Sequence, residues 1–344
     1  MKSIKLTGYG DVDRLQLVEH DIPSIKADEV LIKVRACAIN NTEIWMREGA
    51  YGKDSHSGWK PEGVTFPRTP GSDVSGEIVK VGSSVDNARL GEKVVLFPFT
   101  SSGAPGVEHL SEDLAFLGSE YDGGYAEYVV WPAALCYPMP CDDFVQSCVF
   151  SVSGLTAWHM VAQLKLKPGE TVLVTGANGG VGIYNVQLAS KLMGAKVIAV
   201  VGDDALRESL LSLGASKVVS YRSKTLKQDI LKANGKPVDA VLDVVGDALF
   251  EVSLEVLKRG GKFCVSGSSG GQKTTLDFRT LYLKHLTFFG SVLGTREEYS
   301  DLLAAVKQGL IHPVIDKTFP LEEAAQAQQY FKQSGKLGKI VLLP

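Results

Sequence analysis

Residues 171–182 read Thr171-Val-Leu-Val-Thr-Gly-Ala-Asn-Gly-Gly-Val-Gly182. Thr171 to Thr175 is a short apolar run that ends at glycine, as a buried strand does. The stretch Ile183 to Met193 that follows has helical spacing. A strand that turns through glycines into a helix lets backbone approach a pyrophosphate, and the helix N-terminus adds N–H donors and positive dipole. Ala177, Gly179 and Gly182 fill the three small-residue positions of a dinucleotide fingerprint, with Ala177 in place of the first glycine. A glycine pattern alone is weak; after a strand and inside repeated βαβ units it has the context the motif requires.

That context is present on the C-terminal side. The strand Lys196 to Val201 and a helix from about Leu206 to Leu213 come next. The strands Lys217 to Ser220, Asp239 to Val245 and Gly261 to Ser266 follow, with a helix near Phe250 to Leu257. Strands alternating with helices predict a doubly wound parallel sheet. An acidic residue at the end of the second strand would hold the ribose hydroxyls of NAD. Here that strand runs into Gly202, with Asp203 and Asp204 slightly later, and Arg207, Tyr221 and Arg222 beyond. Without a carboxylate at the strand end, a 2′-phosphate meets less repulsion and has Arg207 and Tyr221-Arg222 to receive it. Charge pairing therefore favours NADPH, with NADH the alternative.

On the N-terminal side the texture is β. Val30 to Val34, Glu77 to Val81 and Lys93 to Phe97 are short Val- and Ile-rich runs punctuated by Gly, Asn and Asp. Strands without intervening helices predict a barrel-like or sandwich-like antiparallel unit. Residues 100–124 lack periodicity and are long for a plain connection, which predicts an ordered lobe or a lid. The chain of 344 residues is of two-domain size, with 44% hydrophobic and 22% charged residues. A formal charge of −3 gives no electrostatic case for nucleic acid or an anionic membrane. Its five cysteines, an odd number without two-residue spacing, suit free thiols in a cytosolic protein. No apolar run approaches the ~20 residues of a membrane helix. The six histidines show no spacing suited to a metal or a triad.

Several further stretches carry a resemblance. They are Ala36-Cys-Ala-Ile-Asn-Asn-Thr-Glu43, Pro70-Gly-Ser-Asp-Val-Ser-Gly76, Gly123-Gly-Tyr-Ala-Glu-Tyr128 and Ser153-Gly-Leu-Thr-Ala157. Asp243-Val-Val-Gly246, Gly267-Ser-Ser-Gly270 and Gly290-Ser-Val-Leu-Gly294 join them. From first strand to last, the chain resembles the medium-chain dehydrogenase/reductase superfamily, and within it the zinc-independent quinone oxidoreductases. The resemblance implies an α/β protein: a GroES-like β-rich catalytic domain (1–131 and 293–344) plus a Rossmann cofactor domain (132–292). It implies nicotinamide contact at Thr156. Cofactor contacts in the glycine turn are expected at Ala177, Asn178, Gly179, Gly180 and Val181, and beyond it at Gly202, Asp203, Arg207 and Tyr221. Later loops are expected to add Val245, Gly246, Gly267 and Ser268, then Leu293, Gly294 and Lys336.

The zinc alcohol dehydrogenases of the superfamily take catalytic ligands from a Cys, a Gly-His-Glu motif and a second Cys. Asn40, Ser72-Asp73 and Val152 stand at or near those positions. Zinc favours thiolate, imidazole or carboxylate, so the resemblance implies no metal site. The cysteine-rich lobe of those enzymes would fall in 100–124, which holds no Cys. Without a Lewis acid an alkoxide is poorly stabilised, whereas hydride enters a quinone or an α,β-unsaturated carbonyl directly. The expected activity is NADPH-dependent reduction of such small molecules. Tyr51 is the expected catalytic phenol and Asn40 an orienting amide, each weighed against a purely structural role. An alcohol dehydrogenase-like enzyme with an unorthodox metal site and a non-enzymatic, crystallin-like NADPH-binding protein are the alternatives. Leu281 to Leu293 reads as an apolar edge strand; the resemblance implies that it pairs with its copy in a homodimer, and a strand buried within one subunit is the alternative.

Overall fold

The strand that opens the glycine turn, Thr171–Val174, is buried on both faces. Val172 and Val174 enter the larger core and Leu173 the smaller one on the opposite side of the sheet. The neighbouring strand Lys196–Val201 divides the same way, with Val197, Ala199 and Val201 against Ile198 and Val200. Such double burial is what covering helices do to a parallel sheet, and it explains the continuous apolar runs. The computed structural model describes residues 1–50 and 64–344.

Six parallel strands form this sheet, in the order Lys217–Ser220, Lys196–Val201, Thr171–Val174, Val238–Asp243, Leu257–Val265 and Thr287–Gly290. The chain builds outward one way from Thr171–Val174 and then restarts beside it with Val238–Asp243. Loops leaving those two strands diverge and open a crevice, the usual ligand position in a doubly wound sheet. Asp243 fastens its edge: Thr175 Oγ1 donates to Oδ1 at 2.5 Å and the Gly246 N–H to Oδ2 at 2.8 Å.

The other body is a seven-stranded sheet around Glu29–Ala38, which pairs antiparallel with Asp73–Val81, Tyr128–Pro132 and Lys339–Leu343. Strand Cys136–Pro138 pairs with Lys93–Leu96 in this sheet. Pairing therefore continues past the domain change expected after residue 131; three residues are too few to show periodicity. The helix Arg296–Lys307, expected with the tail of the first domain, packs on the helix Ser153–Leu164. Residues 100–124 are an ordered lobe containing a small hairpin, Phe99–Thr100 with Ala115–Phe116. Among the described residues no helix is long and apolar enough to cross a membrane.

Candidate functional site

Between the two sheets lies a cleft of ≈ 370 Å³. The glycine turn forms one wall. Gly176 adopts a left-handed φ of 56°, and a Cβ on Gly182 would stand 2.1 Å from the Gly176 carbonyl oxygen. No other residue permits that close return of the chain. A Cβ on Gly179 would meet only the Gly176 oxygen, at 3.4 Å, and would otherwise stand in the cleft. The helix Gly180–Gln187 thus presents its N-terminus to the open space with no side chain in the way. This is a fitting cradle for a dinucleotide pyrophosphate.

The sequence-expected residues distribute as follows. Asn40, Thr156, Asn178, Gly179, Gly180, Val181, Gly267 and Leu293 line the cleft. Ala177 is fully buried beside it. Asn178 also ties the turn to the C-terminal segment: its Nδ2 donates to the Lys336 carbonyl at 2.9 Å, and its own carbonyl accepts from Gly338 N–H. Val244, Ser266 and Ser269, rather than Val245, Gly246 and Ser268, are the lining residues of the later loops. Gly294 has a packing role. The space a side chain would need is filled by Glu298 Oε2, Leu155 and His159. At the far end, the Tyr221 hydroxyl stands 2.3 Å from where a Gly202 Cβ would be, and the Asp203 carboxylate is turned to the Ala205 N–H at 2.9 Å. Arg207 donates to the Val218 carbonyl at 2.8 Å and to Asp204 at 2.9 Å, so much of its guanidinium is committed locally. Tyr51 lies outside the described residues.

The floor of the cleft is a buried polar network. Ile39 N–H bonds the Ile340 carbonyl at 2.9 Å, and this register brings Lys339 beside Asn40. Lys339 is 1% exposed; its Nζ donates to Asn40 Oδ1 and to Ser153 Oγ at 3.1 Å, and lies 2.9 Å from Asp73 Oδ2. Ser153 Oγ donates to the same Asn40 oxygen at 3.0 Å. Asp73 Oδ1 accepts from Val152 N–H at 2.6 Å. Glu43 accepts from the N–H groups of Asn40 at 2.7 Å and Ser72 at 3.1 Å. Burial, and next the charge of Asp73, pushes the Glu43 carboxyl up to about 7. Asn40 Nδ2 is buried and has no hydrogen-bond partner, whereas Asp73 Oδ2, which also lacks one, has the Lys339 ammonium 2.9 Å away.

The donor set does not fit zinc. Asn40, Ser72 and Val152 offer an amide, a hydroxyl and an alkyl group. The two nearby carboxylates are spent on backbone N–H groups and on Lys339, whose ammonium already brings a positive charge to the floor. Among the described residues no group of three or more His, Cys, Asp or Glu side chains could hold a metal ion. Sequence reasoning missed Lys339 and Glu43. The signal for Glu43 was present, since Asn40-x-x-Glu43 is a helix-start spacing.

Comparison with known proteins agrees with this architecture. Residues 26–141 match the alcohol dehydrogenase GroES-like domain, and residues 180–308 match the zinc-binding dehydrogenase family. The chain is 31% identical to the quinone oxidoreductase of Rattus norvegicus, covering 100% of this chain and 98% of that one. It is 30% identical to the NAD-dependent alcohol dehydrogenase of Sulfurisphaera tokodaii, with all of both chains covered. Among solved structures, the 2-octenoyl-CoA carboxylase reductase CinF, in complex with NADP and 2-octenoyl-CoA, is 26% identical with a TM-score of 0.87, covering 99% of this chain and 87% of that one. With its glycine cradle, its two sheets and relatives matched from end to end, the chain belongs to the medium-chain dehydrogenase/reductase superfamily of oxidoreductases, which includes quinone oxidoreductases.

Proposed function

We infer that the protein is an NADPH-dependent reductase of quinones or α,β-unsaturated carbonyls that works without catalytic zinc. The observation that carries this reading is Asn40 Nδ2, a buried donor without a partner in a residue that lines the cleft. A bound nicotinamide supplies hydride. What the chain supplies is a hydrogen bond where negative charge collects, on the carbonyl oxygen of the substrate. A preorganised donor in a dry site is worth far more than one in water. It suits a conjugated carbonyl better than an alcohol, whose alkoxide would need an unpaired positive charge beside it, and the Lys339 ammonium is already paired with Asp73. The similarity to a protein solved with NADP and an enoyl thioester supports the same class. Tyr51, carried over from the family resemblance, is proposed as the proton donor.

For the cofactor, Gly202 is the supporting residue. Its missing side chain leaves no carboxylate at the strand end, and Tyr221 and Arg222 stand at the end of the next strand. Fluorescence titration is expected to give tighter binding of NADPH than of NADH. A tenfold preference for NADH, about 1.4 kcal/mol, would overturn this assignment. The activity itself is tested by following reduced-cofactor oxidation with a panel of quinones and enones. Oxidation of simple alcohols by a protein carrying stoichiometric zinc would favour the alcohol dehydrogenase alternative.

A further inference from the structure

Asn40 could in principle be turned either way about its terminal bond, and Lys339 removes the choice. An ammonium only donates, so the amide atom that faces Nζ must be Oδ1. Oδ1 takes two donors, Lys339 Nζ and Ser153 Oγ, which directs Nδ2 away from them. Drawing electron density toward Oδ1 also makes the Nδ2–H a stronger donor, as linked hydrogen bonds do in a low-dielectric site. The glycine turn closes over the same group: a Cβ on Gly180 would lie 2.8 Å from Ser153 Oγ and 3.0 Å from Lys339 Cδ. Asp73 balances the charge at 2.9 Å and is itself held by Val152 N–H.

From this arrangement we propose that Lys339 is a positioning residue for the reaction. Its ammonium fixes and polarises the Asn40 amide so that Nδ2–H meets the oxygen of a quinone or enone. The proposal rests on the reductase reading above. A purely structural role is the competing account, in which the Lys339–Asp73 pair only joins the last strand to the sheet. The two differ in what they do to Asn40.

The test is a double-mutant cycle between Asn40→Ala and Lys339→Met, read by single-turnover reduction of 2-cyclohexen-1-one and by NADPH titration. Removing one such donor typically costs about 10²–10³-fold in rate. Each single variant is expected to lose that much with NADPH affinity unchanged, and the double variant to be no slower than the slower single one. Lys339→Met leaves Asp73 buried and unpaired, so Asp73→Asn/Lys339→Met is made alongside it to remove both charges together. A neutral-pair variant that binds NADPH and reduces the enone at the wild-type rate overturns the proposal. Losses that multiply in the double variant overturn it as well, because Lys339 would then act independently of Asn40. A wild-type protein that reduces no quinone or enone with either cofactor defeats the reductase reading itself, before any variant is compared.

Discussion

Glu43 carries a proton near neutrality because the cluster around it has one ammonium for two carboxylates. Asp73 pairs with Lys339 at 2.9 Å, while Glu43 accepts from two backbone N–H groups and feels the Lys339 charge less than the opposing effects of burial and Asp73. A fully buried carboxyl in that position is held up to about 7, by burial first and by the charge of Asp73 next. The folded state therefore binds this proton more tightly than the unfolded chain. The resulting stabilisation is full below the ordinary carboxyl range and is lost as pH rises through about 7. In protein labelled with ¹³C at glutamate carboxyls, one resonance should titrate near neutrality and disappear in Glu43→Gln. Glutamate resonances that all titrate below about 5 would show that Glu43 is an ordinary carboxylate. At this scale the sequence was half legible. Asn40 was visible through its family position, and Ala177 and Gly179 through the fingerprint. Lys339 was not, because a lysine opening an apolar strand reads as a solvated end until the pairing of Ile340 with Ile39 buries it.

At the level of elements, the helix Arg296–Lys307 shows how one side chain does two jobs. Thr295 Oγ1 accepts from Glu298 N–H at 3.1 Å, and Glu298 Oε2 accepts from Thr295 N–H at 2.9 Å. The same carboxylate meets His159 Nδ1 at 2.9 Å, and the His159 ring packs edge-on to His109 at 4.5 Å. This joins the 100–124 lobe to two helices beside the cleft. Burial pushes the Glu298 carboxyl up, but the bonds from His159 and the Thr295 N–H outweigh it and hold it below its ordinary value. A depressed carboxyl stabilises the fold above its unfolded pKa and stops doing so as pH falls through the folded one. Glu298→Ala should therefore melt earlier than wild type at pH 7, by an amount on the order of 1 kcal/mol. That difference should shrink in melts at about pH 3, below the unfolded range of glutamate. A deficit that is constant across both conditions would assign the effect to lost packing. Elements with strong periodicity were legible, but short ones were not. Leu226–Asn234 and Asn41–Glu48 escaped notice, although Leu226, Ile230 and Ala233 share a helical face and Asn40 and Glu43 have cap spacing. The expected strand 281–293 divides into a helix, Phe278–Leu283, and a shorter strand, Thr287–Gly290. An apolar run alone does not separate the two.

For the whole molecule, the fold class was legible because a parallel sheet imposes its alternation over more than a hundred residues, whereas the cleft depends on contacts between distant segments. Asn40 and Lys339 meet through the pairing of Ile39 with Ile340, and Ser153 joins them from the start of the helix Ser153–Leu164. The same view shows an unfinished edge. Among the described residues, Thr287–Gly290 ends the six-stranded sheet with one side unpaired, and the preceding helix leaves Phe278 71%, Tyr282 59% and Leu283 55% exposed. An edge strand beside an apolar patch invites association unless something covers it. A second copy offers the same edge and the same patch, and a two-fold arrangement satisfies both at once. We therefore expect a homodimer through Thr287–Gly290, with light scattering at micromolar concentration giving twice the chain mass of 37.0 kDa. Phe278→Asp/Tyr282→Asp places two charges on side chains that touch little of the chain's own core. It should shift the particle to the single-chain mass while retaining NADPH binding, since neither residue lines the cleft. Val292 does line it and is 44% exposed, so a dimer through this edge is expected to run close to the site, and loss of the partner should raise the KM for substrate more than the dissociation constant for cofactor. A wild-type protein that scatters as a single chain, or a double-aspartate variant that stays dimeric, would remove this edge as the interface.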